Sequence, residues 1–320
     1  MITSQQSSIP VRVAAIDEPS PGVRTFRLEH RDGHALPAFS GGSHVVVSMR
    51  GAARTFRNPY SLMGPTDDTS HYAIAVRRDD TGRGGSVFLH ESVREGDELE
   101  ITAPVNLFRL NAMARHHVLI AGGIGVTPML AHSDEARRQG LSYEVHYQVR
   151  GVDTAPFVDR IRREEGGRAR LYDSGAGEYI DPVEVFRRQP LGTHVYVCGP
   201  AGLIQAVYDA AARLGWPSGT IHSEAFTAPP PGKAFTLVLA QSNMEVDVPA
   251  DMSPLEALEA AGLEPPCSCR GGACGVCETA VIEGDIEHND HFLSDEVKVG
   301  NARMMICVSR GRSDRVVLDL

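Results

Sequence analysis

Cys269-Arg-Gly-Gly-Ala-Cys274-Gly-Val-Cys277 is the stretch on which the reading of this chain turns. Its cysteines stand in the spacing C-x4-C-x2-C, and a fourth, Cys307, follows after 29 intervening residues. A two-iron centre needs two protein thiolates on each iron beside the bridging sulfides. Three ligands in one tight loop plus one remote cysteine is the plant-type [2Fe–2S] pattern. Gly271, Gly272 and Gly275 lack a Cβ, so the backbone can wrap closely and aim N–H groups at sulfur. Structural zinc is the competing reading, but it favours paired C-x2-C knuckles, which fit this run poorly. Cys267 as first ligand would give C-x6-C, so it reads as a spare thiol beside the site.

Outward from that loop, the chain is strongly uneven. Five of its six cysteines lie between Cys267 and Cys307, with only Cys198 outside. The N-terminal MITSQQSSIPVRV lacks a basic start followed by an apolar run, which argues for the cytoplasm. There a cysteine cluster points to metal or redox chemistry rather than a disulfide framework. From Phe235 to Leu320 there are 15 acidic and 6 basic residues, so most of the formal charge of −10 sits in the last quarter. That balance disfavours a nucleic-acid binder. It suits either a solvated acidic surface or an acidic module that docks on a basic partner. No apolar stretch approaches the length of a membrane span.

The 320 residues allow two or three domains. Short alternating or β-branched runs at Val11–Ala15, Val23–Leu28, Ser43–Met49, Tyr72–Arg77 and Glu98–Thr102 predict an antiparallel barrel or sandwich over residues 1–111. Over 112–227, strands at His117–Ala121, Tyr143–Val149 and Val195–Cys198 alternate with helices through Arg138, at Phe157–Glu165 and at Leu203–Leu214, which predicts a parallel α/β sheet. The proline run in Thr227–Lys233 marks a linker, placed at 228–234. The segment 235–320 opens with a hairpin, Phe235–Leu239 and Glu245–Val248, and a helix from Pro254 to Ala261 before the cysteine loop.

In the α/β segment, HVLIAGGIGVTPML is a strand, a glycine turn and a helix, with Thr127 placed to N-cap and Pro128 suited to the first turn. Gly122, Gly123 and Gly125 would let a pyrophosphate approach a helix N-terminus. The pattern is G-x-G-x-x-P, not the G-x-G-x-x-G fingerprint, and a tight structural turn is the alternative. VYVCGPAGLI repeats the arrangement, with Cys198, Gly199 and Pro200 at a strand's carboxyl end, where open α/β sheets bind ligands. In the β-rich segment, Arg57-Asn-Pro-Tyr60-Ser61-Leu62 offers a guanidinium, a ring and a hydroxyl, and Gly82-Arg83-Gly84-Gly85-Ser86 offers donors for a phosphate. Each could equally be a surface turn.

In this order the motifs resemble those of the phthalate dioxygenase reductase family, the flavin and iron–sulfur reductases that serve Rieske-type aromatic oxygenases. The likeness runs through RNPYS, GRGGS, AGGIGVTPML, YVCGP, HSEAF, the cysteine loop and CVSRGRSDRVVLDL. It implies an antiparallel β-barrel that binds FMN, an α/β nucleotide domain for NADH and an α+β, β-grasp ferredoxin domain. By position, Arg57, Tyr60 and Ser61 would bind flavin, with Ser61 near N5, and Arg83, Gly85 and Ser86 would hold its phosphate. Gly122, Gly123, Gly125 and Thr127 would bind NADH, with Cys198, Gly199 and Pro200 beside the nicotinamide. Glu224 and Phe226 would close over flavin and nicotinamide, and Cys269, Cys274, Cys277 and Cys307 would hold the cluster. The family motif has one residue between arginine and tyrosine; here Asn58 and Pro59 intervene, so Arg54 is a second candidate, or the loop bulges.

The resemblance implies electron flow from NADH through FMN to the cluster and on to a separate oxygenase, a ring dioxygenase or O-demethylase, docking near the acidic domain of a monomeric reductase. A cytochrome P450 or other metalloprotein as acceptor, and a non-enzymatic redox carrier, are the alternatives. Arg150 would suit a 2′-phosphate and Asp173 a ribose hydroxyl, so the residues themselves leave NADPH open. The 13 histidines show no metal-ligand spacing, and His116-His117 read as structural or solvent-facing.

Overall fold

The computed structural model describes residues 8–52, 54–226 and 231–320; the expected linker lies partly outside them, at Thr227–Pro230. Three main sheets, with a two-stranded ribbon in the last unit, account for the architecture of the described residues. The first is antiparallel and built from β1 (Ile9–Ser20), β2 (Val23–His30), β3 (Ser43–Arg50), β4 (Thr55–Ser61), β5 (His71–Arg77), β6 (Glu98–Ile101) and β7 (Val105–Asn106), with one short helix, α1 (Gly85–Glu91). Its order is β4-β3-β6-β1-β2-β5, with β7 on β3, and the sheet curls until β4 and β5 touch. Alternation explains the closure: Val11 and Val13, Phe26 and Leu28, Val45, Val47 and Met49, and Ile74 and Val76 all point to one interior.

β4 carries Arg57, Tyr60 and Ser61. It contains Pro59, which cannot donate to a ladder. The proline is tolerated because β4 pairs only with β3, as an edge strand. The pairing runs without a shift from His44 opposite Ser61 to Arg50 opposite Thr55, so there is no bulge at Asn58-Pro59.

The second sheet is wholly parallel: β8 (His116–Gly122), β9 (Tyr143–Val149), β10 (Ala169–Asp173), β11 (Thr193–Cys198) and β12 (Ile221–Glu224), ordered β10-β9-β8-β11-β12. Helices α2 (Val126–Arg138), α3 (Val158–Glu165), α4 (Pro182–Arg187) and α5 (Ala201–Leu214) alternate with the strands. The order reverses between β8 and β11, which opens the crevice where ligands of such sheets sit. One local expectation fails. Thr127 is not the N-cap of α2: a 3-10 turn over Gly123–Gly125 runs straight into the helix at Val126, and the Thr127 hydroxyl donates back to the Ile124 carbonyl. His117 is buried inside β8, its ring facing the backbone carbonyls of Ser142 and Asn111.

The third unit holds β13 (Phe235–Leu239), β14 (Met244–Val248), α6 (Pro254–Ala260), β15 (Glu278–Glu283), β16 (Ile286–Glu287), α7 (Asp295–Val299), β17 (Arg303–Met305), β18 (Arg310–Gly311) and β19 (Arg315–Leu318). Its main sheet runs β14-β13-β19-β15-β17, with β13 and β19 parallel. Helix α6 starts sharply because Ser253 and Glu256 form a reciprocal capping box and Pro254 sits in the first turn. Leu255, Ala257 and Leu258 bury one face of α6 and leave Glu256 and Glu259 off that core. Among the described residues, no helix is long and apolar enough to cross a membrane.

Candidate functional site

All six cysteines are free thiols. Four of them fall in two pairs: Sγ of Cys277 lies 3.1 Å from Sγ of Cys307, and the Cys274 thiol is near enough to Cys269 to lower its titration. Among the described residues, the one group of three or more potential metal-binding atoms within 4.8 Å of one another is His30, Asp32 and His34, elsewhere on the molecule. The four thiols are therefore not gathered round one point, as a single zinc would need, and two pairs match a two-iron centre. The neighbouring Cys274 thiol, with backbone N–H groups of Ala273, Gly271 and Cys274, lowers the Cys269 thiol and favours its thiolate. Gly272 and Gly275 have φ of +73° and +78°, and a Cβ on Gly272 would come within 2.6 Å of Val308. Cys267 stands against Cys277, which together with burial raises its thiol. Cys269, Cys277 and Cys307 are buried, and Cys274 is the half-exposed member.

At the β8/β11 crevice the two glycine turns meet. A Cβ on Gly122 would lie 2.6 Å from Pro200, one on Gly199 would lie 2.9 Å from the Gly122 backbone, and one on Gly125 would run into the Cys198 carbonyl. Those three glycines let the turns pack. Gly123 differs: its φ is +54° and nothing lies within 4 Å of its Cβ position. It leaves the backbone open at the start of α2. Cys198 is fully buried between Ala121 of β8 and Glu224 of β12, and burial raises its thiol. Asp173 is committed elsewhere: its carboxylate accepts from the N–H groups of Gly151 (2.9 Å), Val152 (3.2 Å) and Gly175 (2.8 Å), clasping the loop that carries exposed Arg150.

The barrel residues divide by strand parity. Alternate residues face opposite ways. Tyr60 and Asn58 share one face, joined by a 3.4 Å hydrogen bond, and Asn58 abuts Gly85. Arg57 and Ser61 share the other. Arg57 reaches Glu259 at 3.1 Å, across to α6. Arg54 instead donates to the Arg83 carbonyl, beside Gly84, and pairs with Asp251 at 3.2 Å. Arg83 pairs with Glu256 at 2.6 Å. Ser86 turns its hydroxyl to the backbone of Asp79. Thus Arg54 reaches the GRGGS loop, which holds Arg83 and Gly85, and Arg57 turns to α6 instead.

A residue without any motif joins the site. His44 lies opposite Ser61 in the β3–β4 ladder, is buried, and has no partner for either ring nitrogen among the described residues. Glu224 Oε2 is likewise buried and unpartnered. Burial pushes Glu224 up to about 7, with the charge at Cys269 adding to it, and burial lowers His44 while Cys269 opposes that. Cys269 is thus an electrostatic neighbour of both. Buried polar atoms are rarely left unsatisfied, and these two share that state with His132, His288 and Arg310 Nε among the described residues. The signal in the sequence was a lone imidazole in the apolar run SHVVV. Phe226, in contrast, is 45% exposed.

An α/β dinucleotide crevice, a curled flavin-type barrel and a two-pair cysteine loop define a modular redox protein. Residues 237–311 match the model of the 2Fe-2S iron-sulfur cluster binding domain, and residues 104–221 that of the dimethylamine monooxygenase subunit DmmA-like, N-terminal domain. The chain is 44% identical to the heme-dependent oxidative N-demethylase beta subunit of Ectopseudomonas mendocina, over 98% of this chain and 99% of that one. It is 42% identical to the carnitine monooxygenase reductase subunit of Acinetobacter baumannii over the full length of both. The solved structure of phthalate dioxygenase reductase, described as modular for electron transfer from pyridine nucleotides to [2Fe–2S], superposes with a TM-score of 0.86 at 34% identity, covering 98% of each chain. The chain belongs to the phthalate dioxygenase reductase family, the oxidoreductases that act as reductase components of multicomponent oxygenases.

Proposed function

We propose that this protein takes electrons from NADH, through FMN held by the barrel, to a [2Fe–2S] cluster, and delivers them singly to a separate oxygenase. The observation that carries the reading is convergence. Ser61 and His44 from the barrel, Cys198 and Glu224 from the parallel sheet, and Cys269 from the cluster loop come from three units; ladder pairing joins the first two pairs, and the Cys269 charge acts on both His44 and Glu224. Bound NADH, FMN and cluster supply hydride transfer and the passage from two-electron to one-electron chemistry. The chain's residues bind, orient and shield. Gly123 admits the pyrophosphate at the start of α2, and the Cys198–Pro200 turn forms the wall against which the nicotinamide lies. Arg54 and Arg83, rather than Arg57, take the flavin phosphate, because only they border the GRGGS loop. Tyr60 and Ser61 flank the ring, and Glu224, kept largely protonated below about pH 7, offers it a donor.

The outward edge of the cluster loop is the exit. Cys274 is its half-exposed ligand, Phe292 packs over Gly275, and Phe292 and Val276 are both exposed beside the acids Asp295 and Glu296. An apolar centre with an acidic rim suits a basic oxygenase surface docking on a monomeric reductase. The relatives named above serve carnitine monooxygenation and oxidative N-demethylation, so we favour an oxygenase that acts at an N-alkyl group. An aromatic-ring dioxygenase is the second reading, supported by the phthalate dioxygenase reductase fold.

The test is an anaerobic NADH titration of the purified holoprotein followed by visible absorbance. Bleaching of both flavin and iron–sulfur bands with about 1.5 NADH per protein, two electrons for flavin and one for the cluster, is expected. Unchanged bands would overturn NADH as donor, and a parallel NADPH titration decides the role of Arg150. Electron delivery to a carnitine-type and a phthalate-type oxygenase then separates the two partner readings.

A further inference from the structure

Glu259 sits where the cluster loop meets the flavin barrel. Its two oxygens receive the Arg270 guanidinium in a fork at 2.7 and 2.6 Å, and Oε2 also accepts from Arg57 at 3.1 Å. Arg270 is the residue after Cys269. Its backbone is in the left-handed region at φ +53°, and its side chain is turned back onto α6 with only 10% exposed. Arg57 is in β4, two side-chain repeats before Ser61 on the same face. Glu259, itself 16% exposed, comes from the last turn of α6, whose other face is locked into the ferredoxin core by Leu255 and Leu258. One carboxylate therefore ties the loop carrying Cys269 to the strand carrying Ser61. A bidentate, largely buried guanidinium–carboxylate pair is directional as well as strong.

We propose that Glu259 is a positioning residue for electron entry: through Arg270 and Arg57 it sets the spacing between the Cys269 arm of the cluster loop and the flavin face of the barrel. This rests on the relay proposed above. The two neighbouring pairs, Arg83–Glu256 and Arg54–Asp251, hold the same interface but reach no residue next to a cluster ligand. They cement the domains without aiming the loop. Glu256 is further committed to the capping box, where it accepts from the Ser253 N–H at 2.7 Å.

The experiment is stopped-flow mixing of the full-length holoprotein with NADH under anaerobic conditions, reading flavin and cluster bands separately in the unsubstituted chain, Glu259→Gln and Glu259→Ala. Glutamine keeps the shape but loses the charge and one acceptor; alanine removes the tie. The expected result is a flavin phase within about twofold of the unsubstituted rate and a cluster phase slowed about tenfold or more in Glu259→Ala, with Glu259→Gln between, since a misplacement of about 1 Å can cost about a hundredfold. Iron and sulfide content and the paramagnetic spectrum of the dithionite-reduced cluster should be unchanged. Unaltered cluster rates in Glu259→Ala overturn the proposal. Equal slowing of both phases, or cluster loss in both variants, also overturns it, in favour of a folding role. If NADH bleaches nothing in the unsubstituted chain while dithionite bleaches the cluster, it is the underlying relay that fails.

Discussion

The nicotinamide turn and the cluster loop are both rich in glycine, but glycine has different work in each. In Gly122–Gly125 most of it answers a packing demand between two neighbouring βα turns. Gly122, Gly125 and Gly199 leave no room for a Cβ against Pro200, the Cys198 carbonyl and one another, and only Gly123 opens outward. In Cys269–Cys277 the demand is conformational as well. Gly272 and Gly275 take positive φ to reverse the chain around the thiols, with Val308 and Phe292 pressed over them. A glycine motif thus mixes residues that build the site with residues that touch its ligand, and only the surroundings tell them apart.

The largest break in that comparison is removal of a thiolate. Cys277→Ser takes away half of the Cys277–Cys307 pair, and we expect loss of the iron–sulfur absorbance and of iron, while NADH still bleaches the flavin; retention of a full cluster would refute the ligand assignment. Next comes the contrast within the nicotinamide turn. Gly125→Ala drives a methyl into backbone that cannot move aside and should destabilise by about 2 to 4 kcal/mol in thermal or denaturant unfolding. Gly123→Ala meets open space, costs about 1 kcal/mol for its positive φ, and should instead raise the KM for NADH. Equal stability losses would erase the distinction.

A further effect, visible only as pH changes, concerns Glu224. Glu224 has its carboxyl raised by burial from 4.5 to about 7, so its neutral form favours the fold. That contribution is fully present below about pH 4.5 and is lost as pH rises through about 7. Glu224→Gln, which stays neutral, should therefore gain stability relative to the parent across this window, on the order of 2 to 3 kcal/mol by pH 8. A melting-temperature difference that does not change from pH 5 to pH 8 would show that the carboxyl titrates normally.

Much of the fold was legible because its signals are periodic. The runs at Val23–Leu28 and Ser43–Met49 alternate or are apolar throughout, and HVLIA before a glycine turn marks a buried parallel strand. The motif at Arg57–Leu62 reads as a strand end, but that the ladder runs through Pro59 is not legible, because proline argues against a strand interior and its place at the sheet edge is what permits it. The cap of α2 lies two residues earlier than Thr127, at Gly125, because Gly123–Gly125 are themselves helical.

What the sequence determined by itself is the local chemistry: four thiols at a two-iron spacing, glycine turns closing two strands, and an acidic terminal module. These are legible because the groups that act together lie within a few residues, or carry a spacing that their ligand dictates. Only the tertiary structure decided that Arg57 turns toward α6 while Arg54 borders the GRGGS loop, that buried His44 and Glu224 come within electrostatic reach of Cys269, and that Glu259 joins two domains. Those facts depend on strand parity and on contacts between residues some 200 positions apart, as in Arg57–Glu259, and such contacts leave no periodic trace in the chain.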